Sequence, residues 1–402
     1  MYTAFPRPTV NVLKMNLLQV ATIPIMFFHW WGWKTSLVYV SLFLLSALLK
    51  KILTRDLCLN KEVIKIIIII GLFVSINSLH IIGNEDSIII FSSLNQYLTP
   101  FFLVALLLIT PRWGAQDIGT IAKILFWISF YSITIEFFLV NLVGVPKEIM
   151  PGVRFSPGYF ADYGGLHRPF GLTGQPSVNG GILLLNFLLL AELRIIHKWA
   201  ILALLTGTLM TLSGQAILST MLVFPLYWTL RGKNISISLA VLFAILAIIF
   251  LILVFHPFEN VIIMEKLTID YFVYVMWDQA NVYHTIGNLS VWELLFGTLR
   301  PNPEVGTEVF FIGFVRIFGL VFFFIFWAFI WRLVSKARYR LVWFIAIIVS
   351  SAHYPTIIFI EAQLILALLY LFAIRDRVGS RSRGCWVGSV ERLSPHLDTG
   401  RS

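Results

Sequence analysis

The segment SVNGGILLLNFLLLAELRIIHKWAILALLTGTLMTLSGQAILSTMLVFPLYWTLRGK, residues 177–233, decides the fold. Its basic residues come in two pairs, Arg194 with Lys198 and Arg231 with Lys233, and everything between them is almost uniformly apolar. A single helix over 198–231 would be roughly 50 Å long at about 1.5 Å per residue. The hydrocarbon core of a bilayer is only about 30 Å thick. The chain is therefore expected to turn at Ser213-Gly214-Gln215 and to form a hairpin of two spans, with 177–193 as a third. Lysine and arginine collect in loops that stay in the cytoplasm. Both basic gaps then lie inside, and the 213–215 turn lies outside.

The same alternation runs through the rest of the chain. Lys50, Lys51, Arg55, Lys61 and Lys65 mark one inner gap, Arg112 and Lys123 another, and Arg332, Lys336, Arg338 and Arg340 a third. Asn84-Glu85-Asp86 marks an outer one. Twelve spans satisfy the pattern: 16–33, 35–53, 63–82, 88–110, 118–143, 177–193, 198–212, 216–231, 235–257, 308–331, 341–354 and 356–374. Both termini are then cytoplasmic, and the two longest loops, 144–176 and 258–307, share the outer face. The span 341–354 is short, so Tyr354-Pro355 marks either a span boundary or the turn of a re-entrant pair. The expected fold class is an all-α polytopic membrane protein with one transmembrane domain over 1–374 and a disordered basic tail over 375–402.

Composition agrees with this reading. The 402 residues are 58% hydrophobic and only 12% charged, against roughly 25% charged for soluble domains. The net charge of +10 is concentrated on the inner side, where most of the basic residues fall. It is a topology signal and a contact for anionic lipid, and nucleic acid is not needed to explain it. Cys58 and Cys385 both map inside, which excludes a cysteine metal site at the outer face. The run from Leu17 to Trp33 lacks a small-residue cleavage site and is read as a retained helix. No internal repeat of the kind common in transporters is visible.

The outer loops carry the chemistry. In the first, Arg154 and Arg168 supply guanidinium groups, and Arg168 precedes Pro169-Phe170-Gly171 at the mouth of a span. Arginine holds phosphate through a planar fork at any working pH. Either residue could bind a lipid-linked pyrophosphate, or anchor the interface, or pair with Asp162. In the second loop, helical spacing puts Ile269, Phe272, Val273 and Met276 on one face and Tyr271, Tyr274 and Asp278 on the other. That suits a helix lying on the membrane, whose polar face either meets sugar or simply populates the interface. Arg316 stands about two turns into a span, where an unpaired charge costs roughly 2.5–3.5 kcal/mol. Its stabiliser is expected to be a bound anion or a carboxylate from another helix, with Glu136 the obvious partner and Glu361 able to serve equally. His80, His167, His256, His284 and His353 fall at the outer face and are candidate general bases. Their spacing and the scatter of Asp and Glu do not suggest a metal site.

Three segments resemble the O-antigen polymerase (Wzy-type) and ligase superfamily: RPFGLTGQPSVNGG at 168–181, ELLFGTLRPNPEVGTEVFFIGFVRIFGLVFFFIFW at 293–327, and SSAHYPTIIF at 350–359. The resemblance also covers the layout of many spans with two outer loops. It departs at Glu308, where ligases usually carry histidine, which favours a polymerase. It also departs at Ser213-Gly214-Gln215, where the family's frequent arginine is missing. The resemblance implies a GT-C-like membrane glycosyltransferase of the bacterial inner membrane, with its loops in the periplasm. Such an enzyme joins undecaprenyl-pyrophosphate-linked oligosaccharide repeat units without a cofactor. It implies pyrophosphate contacts from Arg168, Arg154 and Arg316, with Glu308 or His284 as catalytic base. Tyr271, Tyr274 and Asp278 would contact sugar, and Glu136, His353 and Glu361 would give support. Membrane lipids and a chain-length regulator protein are the implied partners. The alternatives are a ligase that transfers finished polysaccharide to lipid A core and a flippase for lipid-linked oligosaccharide.

Overall fold

The computed structural model describes residues 115–150, 162–163, 166–231, 273, 287–297, 309–354, 356–359 and 361–373, and helix dominates them. In chain order these helices are α1 (Ala115–Asn141), α2 (Pro176–Glu192), α3 (Lys198–Met210) and α4 (Gly214–Arg231). They are followed by α5 (Val291–Phe296), α6 (Phe310–Val334), α7 (Arg340–Ser350) and α8 (Glu361–Ala373). A two-residue hairpin pairs β1 (Asp162–Tyr163) with β2 (Leu166–His167), placing Asp162 opposite His167. Short 3-10 turns lie at Lys147–Ile149 and Thr356–Ile358. The spans expected at 16–33, 35–53, 63–82, 88–110 and 235–257 fall outside the described residues, as does the tail from 375.

The centre of the bundle is α2. Pro176 opens it at a position where a missing N–H costs nothing, and every residue from Ser177 to Glu192 is buried. A helix apolar on all sides must be enclosed, and α1, α3, α4 and α7 all pack on this one. Two adjacent glycines let neighbours approach closely. A Cβ on Gly180 would lie 2.2 Å from the Cβ of Ala216, and one on Gly181 would lie 2.7 Å from Thr356 Oγ1. Small residues are the means by which helices pack in lipid, where burying apolar surface offers little drive. Gly180→Val therefore forces α2 and α4 apart at an overpacking cost of about 1–3 kcal/mol. Thermal unfolding of the purified protein in detergent should show a lowered midpoint, and an unchanged midpoint would contradict the close packing described here.

The far end of α2 is tied down as well. The carboxylate of Glu192 accepts hydrogen bonds from the backbone N–H groups of Arg338 and of Tyr339, the latter at 3.4 Å. This fixes α2 to the turn that opens α7, at the end of the bundle where Arg338 and Arg340 sit.

The break expected in 198–231 is present. α3 ends at Met210, Leu212 takes a positive φ of 48°, and α4 begins at Gly214. Thr208 and Thr220 then face each other across the hairpin, their hydroxyls 3.3 Å apart. One helix among those described, over Ile118–Asn141, is long and apolar enough to cross a membrane. Its exposed side chains include Tyr131, Ile135 and Phe138, and exposed apolar residues recur on α3 as Trp199, Leu202, Leu205 and Leu209. Such surfaces suit acyl chains.

The single span expected at 308–331 is not what forms. α6 contains a non-helical residue, Gly319, with φ 79° and ψ 167°. Phe311 meets Trp327 with ring centroids 5.7 Å apart, and Phe314 meets Phe326 at 5.1 Å. Sixteen residues of straight helix would separate Phe311 from Trp327 by about 24 Å. The chain therefore folds back at Gly319, and 310–318 and 320–334 are antiparallel arms zipped by aromatic rings. The reason is packing at the reversal. A Cβ on Gly319 would stand 2.3 Å from the Leu295 carbonyl oxygen and 2.5 Å from the Gly297 nitrogen, so α5 closes directly on the bend.

Candidate functional site

One end of the bundle collects the polar groups, beginning with the loop that leads into α2. Glu136, buried near the end of α1, faces this loop. Its Oε1 lies 2.9 Å from His167 Nε2 and accepts the Phe170 N–H at 2.9 Å, while Oε2 accepts the Gly171 N–H at 2.8 Å. Asn141, at the end of α1, grips the same loop from the other side. Its Oδ1 accepts the His167 N–H at 2.6 Å, and its Nδ2 donates to the His167 carbonyl at 2.9 Å. From α2, Asn179 Nδ2 donates to the Phe170 carbonyl, and Asn179 Oδ1 accepts the Thr173 N–H at 3.3 Å. Gly171 has a φ of 52°, and a Cβ there would stand 2.7 Å from Asn179 Nδ2. Only glycine meets both demands.

Arg168, half-buried, stands inside this frame. The expected alternative of a Glu136–Arg316 pair is corrected here: the carboxylate of Glu136 is taken up by His167, Phe170 and Gly171. Sequence spacing along α1 gives no sign of this, because the partners arrive from a loop some thirty residues later.

The frame continues across the end of the bundle. Ser177 Oγ lies 2.8 Å from Ser213 Oγ, joining α2 to the α3–α4 turn. Next to it, Gln215 Nε2 donates to the Ser350 carbonyl at 2.5 Å, and Gln215 Oε1 accepts the Tyr354 N–H at 3.3 Å. Thr356 Oγ1 donates to the same Ser350 carbonyl at 2.6 Å, and the Ile357 N–H reaches Ser351 Oγ at 3.1 Å. The His353 carbonyl accepts the Phe310 N–H at 3.0 Å. That bond docks the first arm of α6, which carries half-buried Arg316, against the step that carries His353. Glu361, fully buried, opens α8 just beyond the same step. The Arg168 loop, the α3–α4 turn, the His353 step and the Arg316 arm are thus tied to one another by these hydrogen bonds and the short stretches of backbone between them.

Asn179, Gln215 and Ser177 form this scaffold, and the sequence reading did not single them out as site residues. Their signal was available: polar side chains at the ends of otherwise apolar runs. In the second loop, α5 is closed by a capping box in which Ser290 Oγ accepts the Glu293 N–H and the Glu293 carboxylate accepts the Ser290 N–H at 2.8 Å. Hydrogen bonds from the Ser290 hydroxyl and backbone hold the Glu293 carboxyl below its usual range. Val273 is helical and exposed. Arg154, Glu308, His284, Tyr271, Tyr274 and Asp278 lie outside the described residues. Among the described residues no group of three or more His, Cys, Asp or Glu side chains is placed to hold a metal ion. Comparison with known protein families, curated proteins and solved structures returns no match to the chain.

Proposed function

We propose that this chain is an O-antigen polymerase of the Wzy type, a many-span protein of the bacterial inner membrane with both termini in the cytoplasm. Its reaction joins lipid-linked repeat units on the periplasmic face. A hydroxyl of the acceptor sugar attacks the anomeric carbon of the donor sugar. The new carbon–oxygen bond forms as the bond to undecaprenyl pyrophosphate breaks, and a base takes the hydroxyl proton. Arg168, Arg154 and Arg316 hold the departing pyrophosphate, Glu308 or His284 is the base, and Tyr271, Tyr274 and Asp278 contact sugar. The donor carries its own activation, so no nucleotide sugar is required on the periplasmic face.

The observation that carries this reading is the frame around Arg168. A loop held by Glu136, Asn141 and Asn179 at the head of a fully enclosed helix presents a guanidinium on a fixed backbone. Preorganised charge aimed at a leaving oxyanion is the main resource of a transferase that lacks a metal. The test is the lipopolysaccharide of a strain lacking the gene. Core bearing one repeat unit is the expected product. Bare core would instead identify a ligase, and repeat units stranded on the cytoplasmic leaflet would identify a flippase.

A further inference from the structure

The geometry points to Glu136 as a positioning residue for Arg168, setting the backbone from which that guanidinium reaches pyrophosphate. The inference rests on the pyrophosphate reading of Arg168 and adds to it a residue that touches no substrate. A buried carboxylate in a helix apolar enough to cross a membrane is costly unless its oxygens are satisfied. Every partner that satisfies Glu136 comes from 167–171. The helix α1 itself gains nothing from the charge, since an apolar residue at that place would serve packing better. What the carboxylate accomplishes is therefore found in what it grips.

The grip is specific to the flanks of Arg168. Upstream, both backbone groups of His167 are held by Asn141 and its ring is held by Glu136. Downstream, the Phe170 and Gly171 amides converge on the two carboxylate oxygens, and the Phe170 carbonyl is taken by Asn179. Pro169 confines the residue before it to extended conformations. The His167 ring turns its Nε2 to the carboxylate and packs on Phe170 with ring centroids 5.8 Å apart, bracketing Arg168 from both sides. Hydrogen bonds to an ionised acceptor are shorter and stronger than neutral ones. A backbone fixed on both sides spares the arginine part of the ordering entropy of binding.

Full-length protein in lipid nanodiscs, titrated with farnesyl pyrophosphate, tests this. Glu136→Gln keeps the size of the side chain but turns an N–H toward one of the two amides. It is expected to weaken binding about tenfold, and Arg168→Ala at least as much. In the double variant the two losses should not add, because Glu136 acts through Arg168. Asn141→Ala, which severs the upstream anchor without touching a charge, should show the same coupling and serves if Glu136→Gln fails to accumulate. Losses that add fully, or a Glu136→Gln protein that binds like wild type beside a weakened Arg168→Ala, would overturn the positioning role alone. An Arg168→Ala protein with wild-type affinity would instead overturn the pyrophosphate reading.

Discussion

Arg168→Ala is expected to leave the protein in the membrane at wild-type amounts while its lipopolysaccharide stops at a single repeat unit. Abundance should hold because the loop is tied through Glu136, Asn141 and Asn179 and through backbone groups, none of which the substitution removes. Chain extension should fall by roughly 100-fold or more, the usual result of deleting one donor that stabilises charge in a transition state. Arg168→Lys sharpens the test. Lysine supplies a point charge without the planar fork, so it should recover part of the rate and leave a ladder skewed to short chains. Immunoblots of the membrane fraction and silver-stained lipopolysaccharide read both quantities from one culture. Full-length chains in the alanine variant would remove Arg168 from the mechanism.

Gly319→Ala should damage the protein severely, through backbone strain and overpacking together. The φ and ψ of Gly319 belong to a region that is essentially glycine's own, and holding another residue there costs about 1–3 kcal/mol. The new Cβ would also meet the Leu295 carbonyl oxygen at 2.3 Å, adding a further cost of about 1–3 kcal/mol from overpacking. Relief is available by straightening. Residues 310–334 are apolar enough to continue as one helix once the bend is strained. Spin labels at positions 311 and 327, in a background with Cys58 and Cys385 replaced by serine, distinguish the two forms. The hairpin holds these sites side by side, as their 5.7 Å ring contact requires, whereas a straight helix separates them by about 24 Å. A shift to the longer distance, with loss of chain extension, is the expected result. An unchanged short distance would show that α5 yields instead.

How much of this was legible in the sequence differs by element, and for physical reasons. The hairpin of α3 and α4 could be read because bilayer thickness limits helix length and because basic pairs bracket the apolar run. The helix α2 could be read as an apolar run of span length, but its enclosure could not, because such a run suits a lipid-facing helix equally well. The reversal at Gly319 could not. Hydropathy is continuous from Phe310 to Val334 and is blind to direction, and glycine is common in membrane helices that do not bend. The partners of Glu136 were misplaced for a related reason. Spacing within a helix shows which residues share a face, but it cannot show a loop returning over that face from thirty positions away. The polar residues Asn179 and Gln215 were visible. Their roles depend on contacts with the Arg168 loop and with Tyr354 that only the folded chain defines.

The enclosure of α2 bears on how the molecule is made. In the finished bundle, Ser177 to Glu192 are shielded by neighbouring helices. During synthesis this segment leaves the ribosome with only α1 of its four packing helices already made, while α7 follows some 150 residues later. Until then the flank of α2 that carries Gly181 must be covered by lipid or by a chaperone. Late-arriving α7 and the Thr356 turn then displace that temporary cover, so biogenesis of this chain ends with a docking step at its middle.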